Sequence, residues 1–360
     1  MIDQELLVSV PKKHYIPPEN FKLCTRKFNS HSQRWNKYNY QEEASKQKKY
    51  HQFSVIEYNI YGALKYDQHP YEVSKRLQIL PDELRKYNAD FIILHEVSKK
   101  ILSKLLTLDW VRQHYYISEC NVDRVQTMFG IGSVIFSKVP FLDFRSYGFP
   151  GYDMYALSLG IFMINEHKVA LCGSQYHSSK SKGTFRKAQF HATMNILEEL
   201  YQKEKVTNFI WASDFNYDLN NPQKWSESSY MSQLQDRYSL GHGWVDVWKK
   251  KYPKLPGFTE NTDLNEMRKY MLGNIKRLKE GISKFHPEEV EREHKQVRFD
   301  AIFINSSVIN IQDIKIIGTQ GKTISGVKVY PSDHFGLYGQ FKLFKPKQVA
   351  KTLKKMTSRV

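Results

Sequence analysis

KVALCGSQYHSSKSKGTFRKAQFHATMNILEELYQKEKVTNFIWASDFN, residues 168–216, holds two periodicities in one stretch. Its ends, KVALCGSQYH (168–177) and VTNFIWASDFN (206–216), carry apolar residues on consecutive positions, the mark of strands buried on both faces. Between them Phe185, Ala188, Ala192, Ile196 and Leu200 fall on one helical face over 184–203, with Thr184 expected as the N-cap. Strands with helices between them imply an α/β fold.

Outward from this stretch the same strand-like text recurs: FSVIEYNI (53–60), DFIILHEV (90–97), GSVIFSK (132–138), ALSLGIFMI (156–164), VRFDAIFIN (297–305), VINIQDIKIIG (308–318) and HFGLYGQFKLF (334–344). The last alternates, which predicts a sheet with one open face. A second helical face, Val73, Leu77, Leu80 and Leu84, predicts a helix over 72–87. The charged stretch 264–296, with Met267, Met271, Ile275 and Leu278 at helical spacing, reads as a surface helical insertion. Strands outnumber helices, so the expected architecture is two packed mixed β-sheets flanked by helices.

The expected domain spans 51–344, between a basic N-terminal extension (1–50) and a basic C-terminal tail (345–360). Residues 1–50 hold 10 Lys/Arg against 5 Asp/Glu, and the last 20 residues hold 7 Lys/Arg and no acid. With 41% hydrophobic and 14% aromatic residues the chain can build a core, which excludes wholesale disorder. The net charge of +17 favours an anionic partner: nucleic acid, phospholipid headgroups or another phosphorylated surface. Cys24, Cys120 and Cys172 form no CxxC pair, so neither a cysteine zinc site nor a disulfide framework is expected. That points to a reducing, intracellular compartment, without choosing nucleus or cytoplasm. No signal peptide and no membrane-spanning run is expected.

The chemistry lies where polar residues interrupt the apolar runs. Asn59, Glu96, His177, Asp214 with Asn216, Asp300, and Asp333 with His334 all stand in or at the ends of strand-like segments. A carboxylate there costs free energy unless it is paired or bound to a metal. Hydrolysis of a phosphate ester needs a hard cation, donors to the non-bridging oxygens, and a base for the attacking water. This set offers one of each, while the GxSxG, P-loop and HExxH patterns are missing.

The ordered string YNIYG (58–62), ILHEV (93–97), SQYH (174–177), SDFN (213–216), RFDAIF (298–303) and SDHFGL (332–337) resembles the endonuclease/exonuclease/phosphatase (DNase I-like) superfamily. The later segments, SSKSKGTFRKAQ, WVDVW (244–248), GFTENT (257–262) and PSDHFGL, are similar to its 5′-tyrosyl-DNA phosphodiesterase branch. The resemblance implies a four-layer α/β sandwich and a Mg2+-dependent site, with Mn2+ as an alternative. It implies that Glu96 is the principal metal ligand, with Asn59 holding the metal–phosphate geometry and Asp333 supporting the metal or its loop. Asp214 would position or deprotonate the water or protonate the leaving group, Asn216 and His177 would bind phosphate oxygens, and His334 would act on the phosphate, oriented by Asp300. Arg186 and Gln189 would support the site from behind. Three positions depart from the branch. Tyr61 stands where an Asp is usual, SDFN replaces a Gly-Asp-Thr-Asn string with no basic residue following in YDLN (217–220), and Glu260 replaces a Trp.

The expected function is a monomeric Mg2+-dependent phosphodiesterase acting on nucleic acid, DNA in preference to RNA. The alternatives are a phosphatase of a small or lipid-borne phosphate, and a catalytically silent nucleic-acid-binding protein.

Overall fold

A computed structural model of the chain describes residues 25–47, 49–62, 72–119, 131–149, 155–178, 182–222, 243–268 and 295–344. In chain order the strands are β1 (Arg26–Asn29), β2 (Arg34–Asn36), β3 (Gln52–Asn59), β4 (Phe91–Ser98), β5 (Tyr116–Ile117), β6 (Ile131–Ser137), β7 (Phe141–Gly148), β8 (Ala156–Ile164) and β9 (His167–Gly173). They continue with β10 (Asn208–Asp214), β11 (Val245–Asp246), β12 (Glu260–Asn261), β13 (Gln296–Val297), β14 (Asp300–Asn305), β15 (Ile309–Ile317), β16 (Lys322–Ile324), β17 (Val327–Val329) and β18 (Gly336–Leu343).

Two mixed sheets face each other. One runs β15-β18-β3-β4-β6-β5-β1-β2 and the other β11-β14-β10-β9-β8-β7. Residue parity explains both the sheets and the layers around them. Along β4, Phe91 and Ile93 enter the core between the sheets, while Ile92 and Leu94 enter an outer core. Helices Val73–Arg76, Leu80–Tyr87, Lys99–Leu106 and Asp109–His114 cover that outer face through Leu80, Leu84, Ile101, Leu102, Leu105 and Val111. Along β10, Ile210 and Ala212 face the inter-sheet core, while Phe209 and Trp211 pack under Phe190, Met194 and Leu197 of the helix Gly183–Glu204. Central strands buried on both faces have no polar face, which is why these runs are apolar on consecutive positions. The result is the expected four-layer sandwich. The alternation in HFGLYGQFKLF is also met: Leu337, Phe341 and Leu343 are buried, whereas Tyr338 and Gln340 are half-buried and Lys342 is exposed.

Four expectations change. The helix over 72–87 is two helices separated at Leu77–Ile79. The long helix starts at Gly183 with Lys182 at its cap, where Thr184 was expected. Strand β7 went unread because only Phe141 and Phe144 are buried, as suits an edge strand. The domain also does not begin at residue 51. β1 pairs with β5 and β2, extending the eight-stranded sheet. Beyond it Phe141 N–H donates to Tyr38 Oη (2.9 Å), Gln47 Nε2 donates to Met163 O (3.1 Å), and Asn165 clasps both backbone groups of Tyr50 (2.9 and 2.7 Å). Tyr50 itself is buried in the inter-sheet core. These contacts tie the first sheet to β7, β8 and the β8–β9 turn of the second. Residues 1–24, the C-terminal tail 345–360, and 269–294 of the charged stretch lie outside the described residues.

Removing residues 1–50 is therefore expected to lower stability by about 3 kcal/mol or more, the cost of losing buried aromatic anchors, whereas removing 1–24 leaves these contacts in place. Urea unfolding of the two truncations against the full chain checks this.

Candidate active site

β3 and β4 run parallel, and β9 pairs parallel with β10, so these strands end in pairs. β18 and β14 run antiparallel to β3 and β10, so their first residues lie beside those ends. Asn59 is the last residue of β3, Asp214 the last of β10 and Asp300 the first of β14, with Asp214 and Asp300 direct cross-strand partners. Glu96 takes φ +56° where the β4–β6 register slips between Leu94 and Val97, a bulge that re-aims its carboxylate. Asn216 takes φ +46°, a conformation its residue type tolerates.

Asn59 links the two sheets. Its Nδ2 donates to Glu96 Oε1 (3.1 Å) on its own sheet and to Asp214 Oδ2 (2.8 Å) on the other. Asn216 donates to Asp214 twice, from its backbone N–H to Oδ1 (2.9 Å) and from Nδ2 to Oδ2 (2.8 Å). His334 Nδ1 lies 2.8 Å from Asp300 Oδ2. Ligand atoms of Asp214, Asp300 and His334 fall within 4.8 Å of one another. Six of the eight expected residues thus meet in one place: Asn59, Glu96, Asp214, Asn216, Asp300 and His334.

The other two make their hydrogen bonds outside this group, although the charge of Asp333 still bears on Glu96 and His334. Asp333 belongs to the loop that carries His334, with Oδ2 accepting from Arg268 Nη1 (2.8 Å) and Oδ1 from Ser332 Oγ (3.3 Å). The ring of His177 packs between Phe185 and Tyr155, at centroid distances of 5.9 and 5.6 Å. Its backbone is held by Arg186 Nη1 donating to His177 O (2.7 Å) and by His177 N–H donating to Gln189 Oε1 (3.0 Å). Arg186 and Gln189 thereby support this segment. In that segment it is Gln175 that reaches the carboxylates, through a hydrogen bond from Nε2 to Glu96 Oε1. Counting alternate positions from Leu171, which faces the inter-sheet core, would have selected it.

Glu57 was also missed. It precedes Asn59 by two positions on the same face of β3 and is fully buried. Among the described residues neither of its oxygens, nor Asp300 Oδ1, has a donor. Carboxyl groups packed this way cannot all ionise. Burial, then Asp300 and Asp214, push Glu57 well above the carboxylate range. His95, whose Nε2 is 3.6 Å from Glu57 Oε1, is driven by burial down to about 3. Both are neutral, so this contact is no ion pair. His95 instead donates from Nε2 to Ala212 O (3.3 Å) and accepts at Nδ1 from Ser133 Oγ (2.9 Å).

The remaining shifts have the same origin. Burial and then Asp300 push Asp214 up to about 8. Burial raises Glu96. Burial alone would lower His334, but Asp300, Asp333 and Asp214 together hold it well above its usual value. The site holds more buried negative charge than its one imidazolium neutralises. An oxygen-rich cluster with a donorless carboxylate oxygen suits a hard divalent cation, so the residues present fit the metal that the sequence led us to expect.

One buried ion network braces the loop. Glu260 accepts from Arg268 Nη2 (2.9 Å) and pairs with Lys295 Nζ (2.7 Å). Burial would raise Glu260, but Arg268 and Lys295 pull it down to about 2. Arg268 thus joins Glu260 to Asp333, next to His334.

No model of a known protein family matches the chain, and no curated protein matches its sequence. Solved structures do match. TDP2 of D. rerio, complexed with a single-strand DNA product, is 20% identical with a TM-score of 0.57, over 81% of this chain and 99% of that one. TDP2 of Caenorhabditis elegans, in truncated form, is 18% identical with a TM-score of 0.57, over 81% and 98%. The catalytic domain of human Nocturnin, with a bound sulfate anion, is 14% identical with a TM-score of 0.54, over 81% and 95%. The chain shares the fold of these structures. It is a DNase I-like α/β sandwich, as the six motifs led us to expect, with the candidate site at one end of the two sheets.

Two predictions follow from this site. Asp214, Glu57 and His334 each bind a proton more tightly folded than unfolded. The stability they contribute is complete at low pH and is lost as pH rises through their folded values. Unfolding of the metal-free chain should therefore show stability falling from about pH 4 through about 8, where Asp214 loses its proton. Asp214→Asn should flatten the slope, and added Mg2+ or Mn2+ should oppose the loss. Arg268→Met strands the buried Asp333 carboxylate and leaves Glu260 with Lys295 alone, and should cost about 3–5 kcal/mol, measured by urea unfolding.

Proposed function

We propose that this chain is a metal-dependent phosphodiesterase that hydrolyses nucleic acid, DNA in preference to RNA, as an intracellular monomer. The observation that carries this reading is the Asn59 amide joining Glu96 on one sheet to Asp214 on the other, with Asn216, Asp300 and His334 packed around them. A divalent cation, Mg2+ first and Mn2+ second, would be held by Glu96 and the neighbouring carboxylates and would supply charge neutralisation at the scissile phosphate.

The chain's own residues do the rest. Asp214, held in orientation by Asn59 and Asn216, receives the proton of the attacking water at its carboxylate. His334, oriented and kept charged by Asp300, presents Nε2–H to a non-bridging oxygen or to the leaving group. Gln175 and Asn59 fix the Glu96 carboxylate. His177, half-exposed among aromatic rings, contributes stacking surface for an unpaired base or contacts a neighbouring phosphate. The net charge of +17 supplies sequence-independent attraction. Support also comes from the D. rerio TDP2 structure, which holds a single-strand DNA product on the same fold.

A second reading is a phosphatase of a small phosphate ester, favoured by the similar fold of a mannosyl-6-phosphatase from Bacteroides thetaiotaomicron (14% identity, TM-score 0.54, over 80% of this chain and 99% of that one). Tyrosyl-DNA, abasic duplex, poly(A), a phosphoinositide and a sugar phosphate, each assayed with Mg2+ and with EDTA, separate the two. Turnover of the first two with Mg2+ supports the proposal, and turnover confined to the last two replaces it. Glu96→Gln, Asp214→Asn and His334→Ala should each lower turnover by about a hundredfold or more. A loss of tenfold or less at all three would mean that the chemistry lies elsewhere.

A further inference from the structure

Tyr61 follows Asn59 by two residues and has φ +47°. For a bulky aromatic residue this left-handed backbone is a costly outlier, and such strain persists only where the surroundings enforce it. Here three contacts do so. Tyr61 N–H donates to Asn59 Oδ1 (3.0 Å), Arg76 Nη2 donates to Tyr61 O (2.5 Å), and the Arg76 guanidinium lies 5.3 Å from the centre of the Tyr61 ring. Arg76 is buried and its Nη1 also donates to Ile60 O (2.6 Å) and Pro331 O (3.5 Å), so one guanidinium fixes both the Asn59 end and the Asp333–His334 loop. Tyr61 also packs against the cluster of Met267, Val329, Tyr330 and Phe335.

The phenol hydroxyl takes no part in these contacts. Its oxygen has no hydrogen-bond partner among the described residues and is not among the buried polar atoms that lack one, and the residue is half-buried. The charges that bear most on it are Asp333 and Glu96, opposed by Arg76 and Arg268. A tyrosine phenol is a neutral O–H donor at neutral pH.

We propose that Tyr61 is a substrate-contacting residue whose hydroxyl donates a hydrogen bond to a non-bridging oxygen of the phosphate held at Asn59, Glu96 and His334. The inference rests on the phosphate-ester reading above. A neutral donor serves there because a further carboxylate would repel the phosphate, while a phenol adds a directed hydrogen bond. The strained backbone is the geometric means of turning the ring toward the ligand while Asn59 keeps its own amide on Glu96 and Asp214.

The test compares the full chain with Tyr61→Phe, which keeps the ring and its packing, and with Glu96→Gln as control. On whichever substrate the full chain turns over, Tyr61→Phe should lower kcat/KM about tenfold or more, as for loss of one transition-state donor, with unfolding midpoint unchanged. In a phosphorothioate substrate, the rate loss from sulfur in one diastereomer should shrink in Tyr61→Phe. Binding of a 5′-phosphorylated oligonucleotide should weaken in parallel. Wild-type kcat/KM, sulfur effect and binding in Tyr61→Phe, beside an inactive Glu96→Gln, overturn this inference alone. Failure of the full chain to turn over any phosphate ester or to bind the phosphorylated oligonucleotide overturns it together with the phosphate-ester reading.

Discussion

Asp214 and Asp300 stand opposite each other on adjacent antiparallel strands, buried, with Glu57 behind them. Like charges in that position repel, and burial removes the water that would screen them. The rest of the site is organised around that excess. Asn59 and Asn216 donate to Asp214, His334 sits on Asp300, and Glu57 and Asp214 are pushed toward their protonated forms. A group of atoms so arranged is at rest with protons bound, and it is better relieved by a divalent cation. Binding capacity and the instability of the free site are thus two consequences of one electrostatic fact.

Such a cluster stays useful only if its parts cannot drift. Two arginines, Arg76 buried and Arg268 half-buried, hold the His334 loop. Arg76 bonds backbone carbonyls at Ile60, Tyr61 and Pro331, and Arg268 bridges Glu260 and Asp333. Neither is a neutral spectator, because a buried guanidinium without its partners costs far more than a surface pair. Asn265 adds hydrogen bonds to the carbonyls of Ser332 and Asp333 (2.9 and 3.2 Å). The segment 259–268, remote in sequence, therefore belongs to the same rigid unit as His334.

The strands were legible because double burial leaves no polar face, as in NFIWASD and DAIFIN. The four-layer order followed from the motif resemblance and from the mixture of strands and helices. Short or half-exposed strands were not legible: β1, β2 and β5 span only two to four residues, and β7 lies at an edge. Propensity is weak over such lengths, and pairing of β1 with β5 and packing of Tyr38 and Tyr50 make the 26–50 segment part of the domain. Within the site, residue type at strand ends pointed to Asn59, Glu96, Asp214, Asn216, Asp300 and His334. It also pointed to His177, whose ring packs against Phe185 and Tyr155, and passed over Gln175, which donates to Glu96.

By itself the sequence determined the alternation of buried strands and helices, the acidic and amide groups at strand ends, and the strongly basic balance. These depend on local periodicity and composition. Tertiary structure alone decided that Asn59 spans two sheets, that Glu57 lies against Asp300, that Arg76 and Arg268 brace one loop, and that the Tyr61 backbone is held in the left-handed region beside Asn59. Those facts depend on which distant strand ends lie side by side, and on how deeply burial strips water from charges that look alike in a linear chain.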